Sequence, residues 1–367
     1  MKRQKNLYNQ MIKYEKALAE YKCIRKHCRN KKAILQFAMY LNENILSILH
    51  SLYNKQYCFS RYRIFIISEP KYRLIMSENI SDKLVNRLVS KYILLPVLEN
   101  KLIDSNVATR YKKGSGYAFK LMVSYINKLM LSHKKIYVLK IDIKKYFYNI
   151  DHHILLNKLN YYIKDEDDMN IIKIILNSTN ELYINETINK LKKVYVKKIN
   201  KLKISEKEKM LKIVKIRNIP IYKPYKGLPI GNMTSQILAV FYLNDIDHFI
   251  KEKLHCKYYI RYMDDLVIID NDFNKLKNVW REINNEIYKL KLEVNNKSNI
   301  YSLDNGFSFL GYTFNTRKGN LRISCNNKTY RRIRKHLKYL QKKDFDEYQK
   351  SFNSYKGYFM RCNYHKK

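Results

Sequence analysis

Apolar residues recur at loosely helical spacing over residues 1–51, a charged stretch without Pro or Gly, and this pattern predicts a helical extension. The pattern changes at 61–76, where two apolar, β-branched runs flank a turn at 69–70. These features predict a strand–turn–strand hairpin that carries Lys71 and Arg73 near its tip. Two helices are predicted next, on either side of a basic glycine-containing loop, at 80–100 and from 117 onward.

Two adjacent carboxylates, Asp264 and Asp265, lie between apolar runs at 258–262 and 266–269 that have the composition of buried strands. The pair is therefore predicted at the bend of a hairpin, where an isolated Asp-Asp is also typical of an exposed acidic turn. A third carboxylate, Asp142, ends another apolar strand. Neighbouring ionised carboxylates repel each other, and Mg²⁺ would compensate them because it prefers hard oxygen ligands. Three carboxylates on neighbouring strands predict a site for two Mg²⁺ ions, with Mn²⁺ as a substitute.

The balance of charge favours a polyanionic partner. The chain has 73 Lys and Arg against 32 Asp and Glu, a net charge of +41, which is far more than solubility requires. Drift in an A+T-rich genome is an alternative explanation of the many lysines, but it explains the shortage of acidic residues less well. The 34 Tyr, 14 Phe and 46% hydrophobic residues can fill the cores of two or three subdomains.

Cysteine usage and hydropathy predict a reduced, cytoplasmic protein without a membrane span. The six cysteines have no paired-ligand spacing, and the short cluster of Cys23, His27 and Cys28 lacks the second half of a zinc site. No apolar run has the length of a signal peptide core or of a membrane-spanning helix.

Five segments stand in the order of motifs A to E of reverse transcriptases, and on them the chain resembles a bacterial reverse transcriptase. The resemblance covers about residues 61–314 and, more loosely, the C-terminal tail. The segments are Asp142 with Phe147, Gly227-Leu-Pro-Ile-Gly-Asn-Met-Thr-Ser-Gln-Ile, Tyr262-Met-Asp-Asp, Lys297, and Phe309-Leu-Gly-Tyr.

The resemblance implies roles for the carboxylates and for one lysine. Asp142 and Asp264 match direct metal ligands, with the Ile143 carbonyl as a further ligand and Asp265 as a third carboxylate. Lys297 matches a lysine near the leaving pyrophosphate, where it would act as a general acid.

The resemblance also implies a nucleotide site. Lys71 and Arg73 match fingers residues that grip the triphosphate, Arg with a forked pair of hydrogen bonds and Lys as a point charge. Phe147 matches the aromatic gate that excludes a 2′-hydroxyl and so favours deoxynucleotides. Ordinary packing in the palm is the alternative role for this ring.

Motif B and the primer grip complete the implied contacts. Ile230, Gly231 and Gln236 would lie along the nucleotide and the template, and Leu310 and Gly311 would help to position the primer end. Most reverse transcriptases have Gln at the position of Ile230. Without the Gln side chain, we expect weaker discrimination between nucleotides, because unpaired polar groups reject a wrong substrate more strongly than apolar shape does.

The predicted fold class is α+β, a right-hand polymerase with fingers, a palm built on an antiparallel sheet, and a helical thumb. The predicted domains are an N-terminal extension at 1–60, fingers and palm at 61–314, and a thumb at 315–367 with basic helix after Asn320. A basic helical insertion at about 171–225 has twelve Lys and Arg against two Glu between Lys190 and Arg217. It would either bind RNA phosphates or form a solvated helical pair. Apolar residues available for one face are Leu191, Val194, Ile199, Leu202, Leu211 and Val214.

These features predict an RNA-directed DNA polymerase that uses an RNA template, a primer and deoxynucleoside triphosphates. A structured noncoding RNA or an accessory protein is a further candidate partner. Motif B resembles that of diversity-generating retroelement enzymes and of related phage-defence enzymes, and both settings remain open. The alternatives are a polymerase-fold RNA-binding or scaffold protein, and an enzyme of the retron or group II intron type.

Overall fold

The computed structural model describes residues 6–28, 30–68 and 71–363. The predicted turn at Glu69 and Pro70 lies outside the described residues. Over the described residues the α-helices are α1 (Leu7–Met11), α2 (Tyr14–His27), α3 (Lys31–Met39), α4 (Leu41–Tyr53), α5 (Ile80–Val89), α6 (Leu95–Leu98), α7 (Ser115–Met130), α8 (Tyr146–Asn149), α9 (His152–Tyr162), α10 (Glu166–Asn177), α11 (Leu182–Asn200), α12 (Glu206–Arg217), α13 (Met233–Tyr242), α14 (Asn244–His248), α15 (Phe273–Lys289), α16 (Asn327–Lys343) and α17 (Phe345–Phe359). Short π-helical segments at Ser90–Leu94 and Phe249–Lys253 and a 3-10 turn at Glu99–Lys101 continue some of them.

The strands form three antiparallel sheets. They are a two-stranded sheet β1-β2, a four-stranded sheet in the order β4-β5-β3-β6, and a three-stranded sheet β7-β8-β9. The strands are β1 (Arg63–Ile67), β2 (Arg73–Ser77), β3 (Tyr137–Asp142), β4 (Tyr258–Tyr262), β5 (Asp265–Asp270), β6 (Asn299–Ser302), β7 (Phe307–Phe309), β8 (Tyr312–Arg317) and β9 (Asn320–Cys325). Helices mixed with antiparallel sheets confirm the predicted α+β class.

The chain forms two compact units, each assembled from separate stretches of sequence. The first unit contains the residues up to Ile103 together with Lys145–Asp245 and Tyr288–Leu292. The second unit contains Asp104–Lys144, Ile246–Ile287 and the residues from Glu293 onward.

In the first unit, the predicted fingers hairpin is present and is covered on one face by the basic insertion. Strands β1 and β2 pair from Arg63 with Ser77 to Ile67 with Arg73. Alternate residues of both strands point into one cluster, as the two-residue period of a strand requires. The buried members are Tyr62, Ile64, Ile66, Leu74, Met76, Ile184, Ile188, Ile199, Ile216, Ile219 and Tyr222.

The apolar face predicted for the insertion is wrong at several positions. Ile199 is buried and Leu191 packs against the cluster, but Val194, Leu202, Leu211 and Val214 are exposed. The hairpin is instead covered by residues at helical spacing along α11, among them Ile184 and Ile188, and a residue such as Val194 falls on another side of that helix.

In the second unit, the four-stranded sheet packs against α7 and the three-stranded sheet. Their shared core contains Phe119 and Met122 of α7, Val267 of β5, and Phe309 and Phe314 of the smaller sheet. The prediction of helix directly after Asn320 is wrong, because residues 320–325 form β9, which pairs with β8. The basic helix α16 begins only at Asn327, where the side chain of Asn326 accepts a hydrogen bond from Lys328 N–H.

Candidate active site and nucleotide-contacting residues

Strands β3 and β5 bring two of the predicted metal ligands together. Asp142, the last residue of β3, is the register partner of Asp265, the first residue of β5. Side chains directly opposite each other in an antiparallel pair share one face, with Cβ atoms about 4.5–5.5 Å apart. Both residues are partly exposed. Two carboxylates therefore stand side by side at one end of the central strands.

Asp264 lies in the two-residue turn that joins β4 to β5. Met263 and Asp264 form this turn, and Tyr262 pairs with Asp265 across it. The prediction that both aspartates lie at the bend is therefore wrong for Asp265, which belongs to the strand. A turn of this length pairs the two residues that flank it. Met263 has a φ of 57°, a conformation that non-glycine residues adopt rarely.

A buried arginine supports the turn. The guanidinium of Arg261 makes two hydrogen bonds to the carboxylate of Asp247, from Nε to Oδ1 at 2.7 Å and from Nη2 to Oδ2 at 2.6 Å. Its Nη1 donates to the carbonyl of Met263 at 3.0 Å. Asp247 also accepts hydrogen bonds from Tyr259 Oη at 2.6 Å and from Asn106 Nδ2 at 3.2 Å. These bonds fix the backbone that leads into Asp264.

Arg261 and Asp247 were not among the residues predicted from the sequence. The available signal was an arginine within an otherwise apolar, buried strand, because a buried charge requires a partner. The identity of that partner could not be derived from local sequence.

The oxygen atoms at the point where β3 ends and β5 begins are chemically suited to bind a divalent cation. Ile143 forms an isolated bridge with Val294, and the two hydrogen bonds of this bridge use Lys144 N–H and the Asp142 carbonyl. The Ile143 carbonyl is not used by the bridge, so the donor set contains three carboxylates and one carbonyl, all hard oxygen ligands.

This donor set is not a ready-made cage. Among the described side chains, no group of three His, Cys, Asp or Glu residues could hold a metal ion by itself. Mg²⁺ in polymerase sites uses one or two carboxylates and completes its shell with water and substrate phosphates. The residues therefore fit a cation that binds together with its substrate.

Lys140 compensates part of this negative charge. Its Nζ lies 3.4 Å from Oδ1 of Asp265 and donates to the Ser308 carbonyl at 3.0 Å. Residue 140 precedes Asp142 by two positions on β3 and so shares its face. That spacing was the signal by which the sequence could have identified Lys140.

Lys297 lies in a loop that is bonded to the end of β3. Its side chain is exposed. The hydroxyl of Ser298, the next residue, accepts a 3.0 Å hydrogen bond from Asp142 N–H, and Asn295 N–H donates to the Asp142 carbonyl at 2.7 Å. The loop that carries Lys297 is thus fixed to a predicted metal ligand through Ser298 and Asn295.

Leu310 and Gly311 form the turn between β7 and β8. Both have positive φ, 49° and 89°. A Cβ on Gly311 would lie 2.7 Å from Oη of Tyr358, so a side chain here would displace the Tyr358 hydroxyl and strain a turn that glycine adopts easily. The Gly311 carbonyl accepts a 2.8 Å hydrogen bond from Asn326 N–H, which fixes the turn to the start of the C-terminal helices.

In the first unit, the fingers hairpin contacts the motif B loop. Met76 N–H of β2 donates to the Ile230 carbonyl at 3.1 Å, and a Cβ on Gly231 would lie 2.7 Å from the Met76 carbonyl oxygen. Lys71 and Arg73 are exposed, Arg73 at the start of β2 and Lys71 two residues before it. The hairpin that carries these two exposed cations is therefore bonded to the loop through Met76.

The same loop contacts the segment of Phe147. Leu228 N–H donates to the Phe147 carbonyl at 2.7 Å, and the Phe147 ring is half-buried beside Tyr146. Gln236 is exposed on α13 between the buried residues Ser235 and Ile237. The hairpin, the motif B loop and the segment of Phe147 thus meet within the first unit, whereas the carboxylates belong to the second unit.

An antiparallel sheet with paired carboxylates at the ends of its central strands defines a polymerase palm. A family model described as reverse transcriptase (RNA-dependent DNA polymerase) matches residues 68–314. The match spans about two thirds of the chain, and the chain belongs to this family. Its members are RNA-directed DNA polymerases, a class of nucleotidyltransferase. A comparison with curated protein sequences found no match.

Solved telomerase structures are similar to the chain. Apo telomerase from Candida tropicalis, truncated from its C-terminal domain, has a TM-score of 0.45 and 16% identity over 72% of this chain and 55% of that chain. Telomerase from Candida albicans in complex with a fragment of telomeric RNA has a TM-score of 0.45 and 15% identity over 82% of this chain and 55% of that chain. The chain thus spans about half the length of these telomerase chains.

Among the described residues, no helix is both long and apolar enough to cross a lipid bilayer.

Proposed function

We propose that the chain is an RNA-directed DNA polymerase that extends a primer with deoxynucleotides by two-metal-ion catalysis. The register of Asp142 with Asp265, beside Asp264 in the adjoining turn, is the observation that carries this proposal. Clustered carboxylates at a partly exposed strand end destabilise a protein unless positive charge compensates them. Lys140 lies beside Asp265, and Mg²⁺ would supply further positive charge.

Asp142, Asp264 and the Ile143 carbonyl would hold two Mg²⁺ ions, with Asp265 as the third carboxylate. The bound ions would activate the primer 3′-hydroxyl and compensate the charge of the triphosphate. Arg261 keeps the backbone before Asp264 in position through its bond to Met263.

Residues of the first unit would select the nucleotide. Arg73 and Lys71 would bind the triphosphate, and the Phe147 ring would exclude a 2′-hydroxyl. Gly231 lets the motif B loop pack directly against the Met76 carbonyl of the hairpin, and the loop held in this way would lie along the base pair. Ile230 offers no side-chain hydrogen bond, so we expect weak discrimination between nucleotides. Gln236 is the exposed amide of α13 and would contact the template.

Two further contacts belong to the second unit. Lys297 would donate a proton to the leaving pyrophosphate, because its loop is bonded to Asp142 through Ser298. Leu310 and Gly311 would position the primer end.

The partners that follow are an RNA template, a primer and deoxynucleoside triphosphates, with a structured noncoding RNA or an accessory protein as a further partner. We place the enzyme in a bacterial diversity-generating retroelement or a phage-defence system. The motif B sequence from Gly227 to Gln236 supports both settings equally.

The test is incorporation of labelled deoxynucleotide on a primed RNA template. We expect Asp142→Asn and Asp264→Asn to abolish incorporation and to leave RNA affinity nearly unchanged. Asp346→Asn, which removes an exposed carboxylate on α17 and changes the net charge equally, should retain activity. Persistent incorporation by the purified double variant would refute the site. RNA binding without any incorporation by the unmodified protein would instead favour a polymerase-fold RNA-binding scaffold.

A further inference from the structure

One side of α11 carries a continuous row of lysines. Lys190, Lys193 and Lys197 lie on α11, and Lys201 is its C-terminal cap residue with helical backbone angles. Their spacings of three, four and four residues place all four on the same side. All four are exposed. At 1.5 Å per residue the row is about 16 Å long. These four residues are called the lysine stripe below.

The opposite side of α11 is fixed to the fingers hairpin. Ile184, Ile188 and Ile199 are buried against β1 and β2. Tyr195 Oη also donates a 2.7 Å hydrogen bond to the Ile66 carbonyl of β1. Because this side of the helix is anchored by packing and by a hydrogen bond, the lysine stripe faces away from the hairpin in a fixed orientation.

The lysine stripe differs from the neighbouring helix in its ion pairing. Glu186 lies one turn before Lys190 on the same side of α11, but among the described residues it forms no ion pair with the stripe. On α12, Lys209 pairs with Glu206 at 2.7 Å and Lys212 pairs with Glu208 at 3.2 Å. Within the part of the chain that the structure describes, none of the four stripe lysines takes part in an ion pair. Like charges at these spacings destabilise a helix, and a bound polyanion would reverse this effect.

We propose that the lysine stripe binds the phosphate backbone of the RNA that the enzyme copies, an inference that rests on the proposed polymerase function. Four point charges in a row fit a regularly charged strand, and lysine contacts to phosphate carry no base preference. A second copy of this chain is a poor occupant, because the net charge of +41 opposes self-association.

The test measures RNA affinity as a function of salt concentration for the full-length chain, without deoxynucleotides. The slope of log K against log salt falls in magnitude by about 0.7 for each phosphate contact removed from a single strand, and by about 0.9 for each contact removed from a duplex. We expect Lys190→Gln, Lys193→Gln, Lys197→Gln and Lys201→Gln together to reduce the slope by about 3. The corresponding Lys→Arg variant should retain the slope of the unmodified protein.

The matched control neutralises four exposed lysines of the second unit. Lys128→Gln, Lys134→Gln, Lys253→Gln and Lys277→Gln together remove the same charge and should change the slope by less than about 1. Equal slopes for the stripe variant, the control and the unmodified protein would overturn the proposal. So would a stripe variant that binds RNA normally but no longer binds an acidic protein.

Two RNA ligands identify which strand the lysine stripe contacts. A slope change with RNA alone assigns the unpaired template, and a change only with RNA annealed to a DNA primer assigns the duplex. Incorporation measured separately distinguishes the two proposals. An active stripe variant with an unchanged slope would refute the stripe alone, and an inactive unmodified protein would refute the polymerase function alone.

Discussion

The guanidinium of Arg261 donates a 3.0 Å hydrogen bond to the carbonyl of Met263, the first residue of the turn that contains Asp264. The same guanidinium is completely buried and binds both carboxylate oxygens of Asp247. A planar fork with several fixed donors can satisfy a carboxylate and a carbonyl at once, which an ammonium group on a flexible stem cannot do in the same geometry. The position of the turn that contains Asp264, a proposed metal ligand, thus depends on the Arg261 side chain.

Replacement of the Arg261 guanidinium should lower kcat more than it changes the KM for deoxynucleotide. We expect Arg261→Lys to lower kcat by about 10–100-fold, because a displacement of about 1 Å at a reacting group has this effect. The KM for deoxynucleotide should change little, because the proposed nucleotide contacts lie on other segments. Primer extension at varied nucleotide concentration measures both constants.

Tyr259→Phe is the control for this prediction. It removes one hydrogen bond to Asp247 and leaves the fork and its bond to Met263 intact, so kcat should stay near that of the unmodified protein. Equal losses of kcat in the two variants would show that general stability of the palm, and not the position of the turn, accounts for the effect. Thermal unfolding of both proteins separates these explanations.

Lys140 should weaken the affinity of the site for divalent cations. Its ammonium group lies 3.4 Å from Oδ1 of Asp265 and would repel a cation held by the same carboxylates. We therefore expect Lys140→Gln to lower the Mg²⁺ concentration for half-maximal incorporation by about 3–10-fold, which corresponds to roughly 1 kcal/mol. Lys144→Gln, an exposed neighbour paired with Glu293, is the comparison and should have a smaller effect. A higher Mg²⁺ requirement in Lys140→Gln would contradict the prediction.

Gly231 should tolerate no side chain. An added Cβ would lie 2.7 Å from the Met76 carbonyl oxygen, and φ is 141°. We expect Gly231→Ala to lower the free energy of unfolding by about 2–4 kcal/mol and to raise the KM for deoxynucleotide. Gly319→Ala separates the two causes, because Gly319 also has positive φ but has open space around its Cβ position. It should lose only about 1–2 kcal/mol, measured by urea unfolding.

The sequence predicted the parts of the site that depend on local pattern. Asp142 ends an apolar strand and Asp264 lies between two such strands, so their positions could be derived from the two-residue period and from motif order. The hairpin that carries Arg73 was predicted on the same basis. In each case the information lies within a few neighbouring residues.

Partners at a distance could not be derived in this way. Nothing near Arg261 indicates that its carboxylate is Asp247 on another element, and the bond between Ser298 and Asp142 depends on how two distant segments pair. The exposed Leu211 is another case in which local sequence was insufficient. Its helical spacing was compatible with a buried face, but the position of β1 and β2 determines which side of the insertion is covered.

Glu78, which follows β2, should make stability depend on pH. Burial raises the pKa of its carboxyl to about 8, against an ordinary value of 4.5, while Lys83 partly opposes this effect. Between these values the folded protein keeps the proton that the unfolded chain has released, so unfolding becomes more favourable as pH rises. The slope of the free energy of unfolding against pH that Glu78 contributes is at most about 1.4 kcal/mol per pH unit. This slope falls to zero below about pH 4.5 and above about pH 8.

Glu78→Gln should remove this dependence, because the amide keeps the shape of the protonated carboxyl and does not titrate. We expect the variant to gain stability relative to the unmodified protein as pH rises from about 5 to 8. Urea unfolding at several pH values measures this difference. Glu43→Gln, at an exposed position of α4, is the matched control and should leave the pH dependence unchanged. Parallel pH profiles for Glu78→Gln and the unmodified protein would show that the Glu78 carboxyl is already ionised in the folded state at neutral pH.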